Sequence, residues 1–221
     1  AARVKAAFPN ASASNGYGLT ETSALSTVNV AEDYIARPES VGLAAPICKI
    51  KIVTSEGAEC PAGEVGEICV KGPQVIKGYW NNPEATAKTI IDNWLHTGDL
   101  GYVDDEGFLY VVDRIKDMLL RGGENIYCIE VESALFNHPD VIDAAVVGIP
   151  HHVLGEEVGA LIQLRPGADF KPEDLQAHVA RQIAAFKVPV LIEQHHEPLP
   201  RNANGKIMKP AVKALMGIGT L

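Results

Sequence analysis

From Ile47 to Asp113 the chain is a series of short apolar segments broken every few residues by Gly, Pro, Asn or Asp. This punctuation restricts the possible folds more than any other feature. ICKIKIV (47–53) alternates as a half-buried strand does. EVGEICV (64–70) follows a Pro-Ala-Gly turn and QVIKGYW (74–80) follows Gly72-Pro73, so both read as strands. GYVDDEGFLYVVD (101–113) sets the polar stretch DDEG between two apolar arms, the pattern of a hairpin. Asn82-Pro83-Glu84 supplies an N-cap, a first-turn proline and an early carboxylate, which predicts a short helix over 83–91. Strands this short and this close together predict a small barrel or folded sheet. Upstream, residues 1–23 read as the tail of a helix running into a Gly/Ser/Asn-rich loop, ASASNGYGLTETS.

The pattern changes after Asp113. RIKDMLLRGGEN carries four charges ahead of a Gly-Gly pair, and IEVESALFNHPD reads as a helix stopped at His138-Pro139. Residues 141–149, 159–164 and 188–194 read as strands, 172–186 as an amphipathic helix and 209–216 as a last short helix. That alternation predicts a compact α+β domain of ordinary size, with a boundary near 113–117.

An apolar fraction of 47% with 21% charged residues supports a packed core. The formal charge of −9 argues against nucleic-acid or anionic-membrane partners, which need a basic surface. A polyanionic ligand would need cations converging locally. Cys48, Cys60, Cys69 and Cys128 show no CxxC pair or zinc-ligand spacing, which fits free thiols in a reducing cytoplasm. The doublets His151-His152 and His195-His196 read as surface loops, and no HxxxH or HExxH occurs. No apolar run approaches a membrane span. The opening AARVKAAFPNASAS lacks the apolar core of a signal peptide, and a start at Ala1 inside a helix tail points to a fragment or a processed product.

Four segments carry candidate chemistry, each with a plainer alternative. In NGYGLTET (15–22), glycines let backbone N–H groups approach a phosphate, Thr20 adds a donor, and Glu21 suits Mg²⁺. A tight Asn-Gly turn explains the same residues. In LHTGDL (95–100), Asp99 can accept from both hydroxyls of a ribose or simply stabilise a turn. DRIKDMLLRGGEN (113–125) sets Arg114, Lys116 and Arg121 close to Gly122-Gly123, either for a phosphate and a thin ligand or as a charged linker. LPRNANGKIMKP (199–210) mounts Lys206 after a glycine, where a solvated basic loop is the alternative.

In this order, and together with GEICVKGPQVIKGYWNNPEAT (66–86) and LHTGDLGYVDDEGFLYVVDRIKDMLLRGGENIYCIEVE (95–132), these segments resemble the adenylate-forming superfamily. That superfamily comprises the acyl- and aryl-CoA synthetases, peptide-synthetase adenylation domains and firefly luciferase. The resemblance implies the C-terminal end of a large AMP-binding domain over 1–114, with a barrel-like subdomain, and a mobile α+β domain over 117–221. It implies ATP, Mg²⁺ and CoA as reactants and cofactors. A carboxylic acid, of the fatty or related acyl class, would be joined to ATP as an acyl-adenylate and then passed to a thiol. Tyr17 would stack on adenine with Gly18 close by, Thr20 would bond the α-phosphate, and Glu21 would hold Mg²⁺. Asp99 would take the ribose hydroxyls with Arg114 nearby, and Asn125 would lie near the nucleotide phosphate. Gly122 and Gly123 would line the pantetheine tunnel, Lys116 would be the hinge, and Lys206 would be the lysine that enters the site during adenylation.

Two positions depart from the family pattern: Cys128 stands where many relatives have proline, and Arg121 where they often have serine. The family's Ser/Thr/Gly-rich phosphate loop lies upstream of NGYGLTET and is absent here. The implied activity therefore belongs to a longer parent, and this piece is not expected to turn over alone. An amino-acid adenylation domain serving a carrier protein, and a non-catalytic nucleotide-binding or interaction module, are the alternatives.

Overall fold

The computed structural model describes residue 8, residues 11–169 and residues 171–219; the helical tail read at the start of the chain lies outside them. The fold is α+β, in two compact units, Ala1–Ile115 and Lys116–Leu221.

The first unit opens with a small antiparallel sheet, β1 (Ser14–Tyr17), β2 (Thr27–Val30) and β3 (Leu43–Ala44), with α1 (Ala31–Ala36) after β2. Its larger sheet comprises β4 (Lys49–Val53), β5 (Gly66–Lys71), β6 (Ile90–Ile91), β7 (Trp94–Val103) and β8 (Leu109–Arg114). The order is β4-β5-β7-β6, with β8 also on β7, and the sheet curls as a half barrel. The alternation in the sequence puts Ile52, Ile68, Val70 and Leu109 on one buried face. Helix α2 (Pro83–Thr89) is capped as its sequence predicts, with Asn82 Oδ1 accepting from the Ala85 N–H at 3.0 Å.

Two readings in this unit need correction. The Gly/Ser/Asn-rich stretch is not all loop, because Ser14–Tyr17 pair in register with β2. Gly16 permits that approach, since a Cβ there would lie 2.9 Å from the Thr27 carbonyl oxygen. QVIKGYW is not a strand. Its Ile76 N–H donates to the Glu21 carbonyl at 2.9 Å and its Tyr79 N–H to Thr86 Oγ1 at 2.9 Å, so these donors are unavailable to a ladder.

The second unit is built on β9 (Leu119–Arg121), β10 (Glu124–Ile126), β11 (Val141–His151), β12 (Gly155–Leu164) and β13 (Leu191–Gln194). Their order is β10-β9-β12-β11, with β13 parallel to β12. Helices α3 (Cys128–Phe136) and α4 (Pro172–Ala180) contribute Val131, Leu135, Leu175 and Val179 to a cluster with Val146, Val158 and Ile162. Ala145, Val147 and Leu161 form a second cluster with Val212 and Met216, which come from α5 (Lys209–Leu215) and its C-cap. Both faces of the β11–β12 pair are covered, which is why AAVV shows no polar alternation.

The helix read over 172–186 stops at Ala180. Beyond it the Gln182 amide donates to the Ala134 and His178 carbonyls at 3.1 and 3.2 Å, and a 3₁₀ turn at Ala185–Lys187 follows. None of the four cysteines is joined in a disulfide among the described residues, and all four are buried. Burial, reinforced by the Glu67 carboxylate, pushes the Cys69 thiol up to about 12. Among the described residues no helix is long and apolar enough to cross a membrane.

Candidate active-site residues

In the first unit, β7 carries Asp99 on a bulge. Cys69 of β5 pairs with His96 and Glu67 with Leu100, so Thr97, Gly98 and Asp99 bow out opposite a single β5 residue, Ile68. Gly98 supplies the left-handed φ of +71° that the bulge requires. The bend is secured at both ends: the Glu67 carboxylate accepts from the Gly98 N–H at 3.0 Å, and the Gly98 carbonyl accepts from Ile115 N–H at 2.9 Å.

Asp99 is thereby aimed at two partners. It faces Arg114 across the β7–β8 ladder, and Arg114 Nε donates to Oδ1 at 2.9 Å. Tyr17 Oη donates to Oδ2 at 2.7 Å. Asp99 is only 8% exposed, so both bonds act on a largely desolvated carboxylate. Burial pushes the Tyr17 phenol far above its ordinary value, and the negative charge of Asp99 adds to this. Thr97 orients the turn from behind, its hydroxyl donating to the Ile68 carbonyl at 2.7 Å and accepting from the Asp99 N–H at 3.1 Å.

The Thr20–Thr22 segment is a 3₁₀ turn held by Thr22, whose hydroxyl accepts from the Leu19 N–H at 2.9 Å and donates to the Leu19 carbonyl at 3.0 Å. Gly18 precedes it for a packing reason: a Cβ there would lie 1.7 Å from the Ala24 carbonyl oxygen. Thr20 is exposed and Glu21 half-buried. One Glu21 oxygen accepts from Tyr79 Oη at 2.8 Å, and the Ser23 hydroxyl donates to the Gln74 carbonyl at 2.9 Å. GPQVIKGYW, which offered no chemistry in the sequence, thus braces the loop that carries Thr20 and Glu21. Tyr79 and Thr97 were missed because their partners lie 58 and 29 residues away.

In the second unit, Lys116 is exposed, its ammonium 4.0 Å from Asp117. Gly122 and Gly123 form a two-residue hairpin turn between β9 and β10, with φ of +59° and +91°. The segment read as a possible charged linker is therefore an ordered hairpin from Leu119 onwards. Arg121 is committed to Glu157, Nε to Oε2 at 2.7 Å and a terminal nitrogen to Oε1 at 3.0 Å. Asn125 is exposed on β10.

Lys206 is exposed at the end of a braced turn. Residues Arg201 and Ile207 form a β-bridge, and Asn202 Oδ1 accepts from the Asn204 and Lys206 N–H groups, each at 3.0 Å. Arg201 fastens this turn to β11 through Asp143, with contacts of 2.9 and 2.7 Å. Tyr17, Asp99 and Arg114 are thus in direct contact, Glu21 lies on a separate brace, and Lys116, Gly122, Gly123, Asn125 and Lys206 belong to the second unit.

Residues 1–80 match the model of the AMP-binding enzyme family, and residues 130–206 match that of the AMP-binding enzyme C-terminal domain. A long-chain-fatty-acid–CoA ligase from Bacillus subtilis (strain 168) is 45% identical over 195 residues, which is 88% of this chain and 34% of the relative. A fatty acid–[acyl-carrier-protein] ligase from Streptomyces coeruleorubidus is 40% identical over 196 residues, 87% of this chain and 38% of the relative. The solved o-succinylbenzoate CoA synthetase of Bacillus subtilis, in complex with an acyl-adenylate intermediate, superposes with a TM-score of 0.86 at 38% identity, covering 90% of this chain and 40% of that one. The chain thus spans between a third and two-fifths of the length of these curated relatives. With the clamp on Asp99, the braced Glu21 and the exposed Lys206 in place, the chain belongs to the AMP-binding, adenylate-forming enzyme family.

Proposed function

We propose that this chain supplies the ribose clamp and the lysine-bearing unit of an AMP-forming acid–thiol ligase. The enzyme activates a carboxylic acid of the fatty or related acyl class as its adenylate and transfers the acyl group to CoA. The observation that carries the reading is Lys206, an exposed ammonium on a turn whose backbone is pinned. A carboxylate attacking a triphosphate brings anion to anion, and an ammonium placed where charge develops offsets the repulsion. Since the turn itself is braced, any departure of Lys206 before the thiol step belongs to the whole second unit rather than to a floppy loop. Lys116 is then the hinge, and the Gly122-Gly123 turn, with no side chain to intrude, lies along the pantetheine path beside Asn125.

Asp99 suits a ribose. Its two oxygens offer about four acceptor positions, and Tyr17 and Arg114 take two of them. Two remain for a vicinal diol. Tyr17 then offers its ring to adenine and its hydroxyl to Asp99, with Gly18 at its side. Glu21 suits Mg²⁺, because Tyr79 fixes one oxygen and leaves the other for a hard cation. When bound, the ion supplies charge neutralisation at the phosphates. Thr20 extends its hydroxyl towards the α-phosphate from the same turn.

The test is acid-dependent release of pyrophosphate from ATP by the protein carrying this chain, followed with acids of graded length and with free CoA as acceptor. Pyrophosphate, AMP and a CoA thioester are expected in equal amounts. Transfer to a carrier-protein thiol alone would favour the reading raised by the Streptomyces relative. An absence of acid-dependent pyrophosphate would overturn the proposal.

A further inference from the structure

On the face of the larger sheet away from the Ile52–Ile68–Val70 cluster, three side chains come together, of which only Glu67 has a role above, bracing the Asp99 bulge through the Gly98 N–H. Cys69 of β5 stands directly across from His96 of β7, and Glu67 lies two residues back on the same face of β5. Their ligand atoms all fall within 4.8 Å of one another. Cys69 Sγ is 3.6 Å from His96 Nδ1, which is 2.7 Å from Glu67 Oε2. We propose that Glu67, Cys69 and His96 form a site for a thiophilic divalent cation of the zinc class, distinct from the Glu21 position.

A tetrahedral ion bonded to sulfur at about 2.3 Å and to nitrogen at about 2.0–2.1 Å holds those two atoms about 3.5 Å apart. The sulfur–nitrogen spacing already meets that requirement. The carboxylate oxygen needs a side-chain rotation of Glu67 that takes it about 0.6 Å further from the imidazole nitrogen and sets it about 3.5 Å from Cys69 Sγ, exchanging its bond to the imidazole for a bond to the metal. Strand pairing fixes Cys69 against His96, so the site is preorganised rather than gathered from loops. The Gly98 N–H holds the second oxygen of Glu67, as the outer hydrogen bonds of ligating carboxylates do.

Cys69 is buried, whereas the side chains of His96 and Glu67 are 23% and 20% exposed, so entry is from their side and a water completes the coordination. Lys51 pairs with Cys69 from β4, but its ammonium sits 4.6 Å from the centre of the Trp94 ring. As the metal–sulfur bond forms, the thiol proton passes to water, and the Nδ1 proton that His96 donates to Glu67 moves by way of water to Nε2, which frees the Nδ1 lone pair for the ion. Thiolate and carboxylate then present two negative charges to the ion.

The experiment titrates the reduced protein carrying this chain with Co²⁺, reading the thiolate-to-cobalt charge-transfer absorbance, and then displaces the cobalt with Zn²⁺. One equivalent is expected, with the band lost in Cys69→Ser and retained in Cys48→Ser, Cys60→Ser and Cys128→Ser. Residues that merely orient metal ligands are worth about 10- to 100-fold in affinity, so His96→Gln should weaken Zn²⁺ by at least that factor. Glu67→Gln, on the exposed side, gives the same reading should Cys69→Ser fail to fold. Persistence of the band in Cys69→Ser, undiminished Zn²⁺ affinity in Glu67→Gln, or no cobalt uptake by the unaltered chain would each overturn the site.

Discussion

Replacing Tyr17 with Phe removes one oxygen and keeps the ring, which packs against the first unit's core. The lost bond is a 2.7 Å donation to a carboxylate that is 8% exposed. Hydrogen bonds to charged groups contribute about 1.5–3 kcal/mol net. Arg114 remains on the other oxygen, which places the cost of Tyr17→Phe near the middle of that range, about 2 kcal/mol. For a unit of this size that corresponds to a fall of about 8 °C in melting temperature. Calorimetry of the whole chain should show the drop in the transition of the first unit only. The same substitution changes the alkaline limb. Burial, aided by Asp99, holds the folded phenol neutral, whereas in the unfolded chain it ionises near its ordinary value of about 10. Its stabilising contribution is therefore complete below pH 10 and is lost as the pH rises beyond it. Tyr17→Phe should flatten that slope. A loss under about 0.5 kcal/mol with an unchanged alkaline slope would show that Arg114 holds Asp99 alone and that the clamp was misread.

Three further outcomes follow from the second unit. Gly123→Ala meets open space but a φ of +91°, so it should destabilise that unit by about 1 kcal/mol through backbone strain alone, and Gly123→Asn by less; urea unfolding checks both. The Arg121 guanidinium holds the Glu157 carboxyl below the usual range. The ion pair therefore stabilises above the unfolded value of about 4.3 and fades as the pH falls through the folded one, and Arg121→Ala should remove that acid-limb slope. Lys116→Pro should leave acid-dependent pyrophosphate exchange intact while slowing thioester formation in a stopped-flow assay, and equal losses would count against a hinge.

Much of the fold was legible where neighbouring residues decide the outcome. ICKIKIV alternates because one face of β4 is buried, and Asn82-Pro83 announces α2 through a local cap. QVIKGYW misled because its donors go to Glu21 and Thr86, which no local pattern reveals. The Gly-Gly pair reads as a berth for a thin ligand or as part of a charged linker, and the hairpin turn emerges only once β9 and β10 pair across it. At the candidate site, Asp99 and Arg114 drew attention through their residue types, yet their contact depends on a bulge and a cross-strand register. Tyr79 lies in a segment that contributed to the resemblance but gave no sign of its chemistry, since its hydroxyl works on a carboxylate 58 residues away.

In the proposed reaction the Lys206 ammonium serves acyl-adenylate formation and not the thiol step. The most direct measurement assays Lys206→Ala, in the protein carrying this chain, separately for ATP–pyrophosphate exchange and for thioester formation from supplied acyl-adenylate. Exchange is predicted to fall by at least about 10²–10³-fold, the usual cost of one preorganised charge-stabilising group, while transfer to CoA proceeds at an unaltered rate. Parallel losses in both half-reactions, or exchange at the original rate, would contradict it.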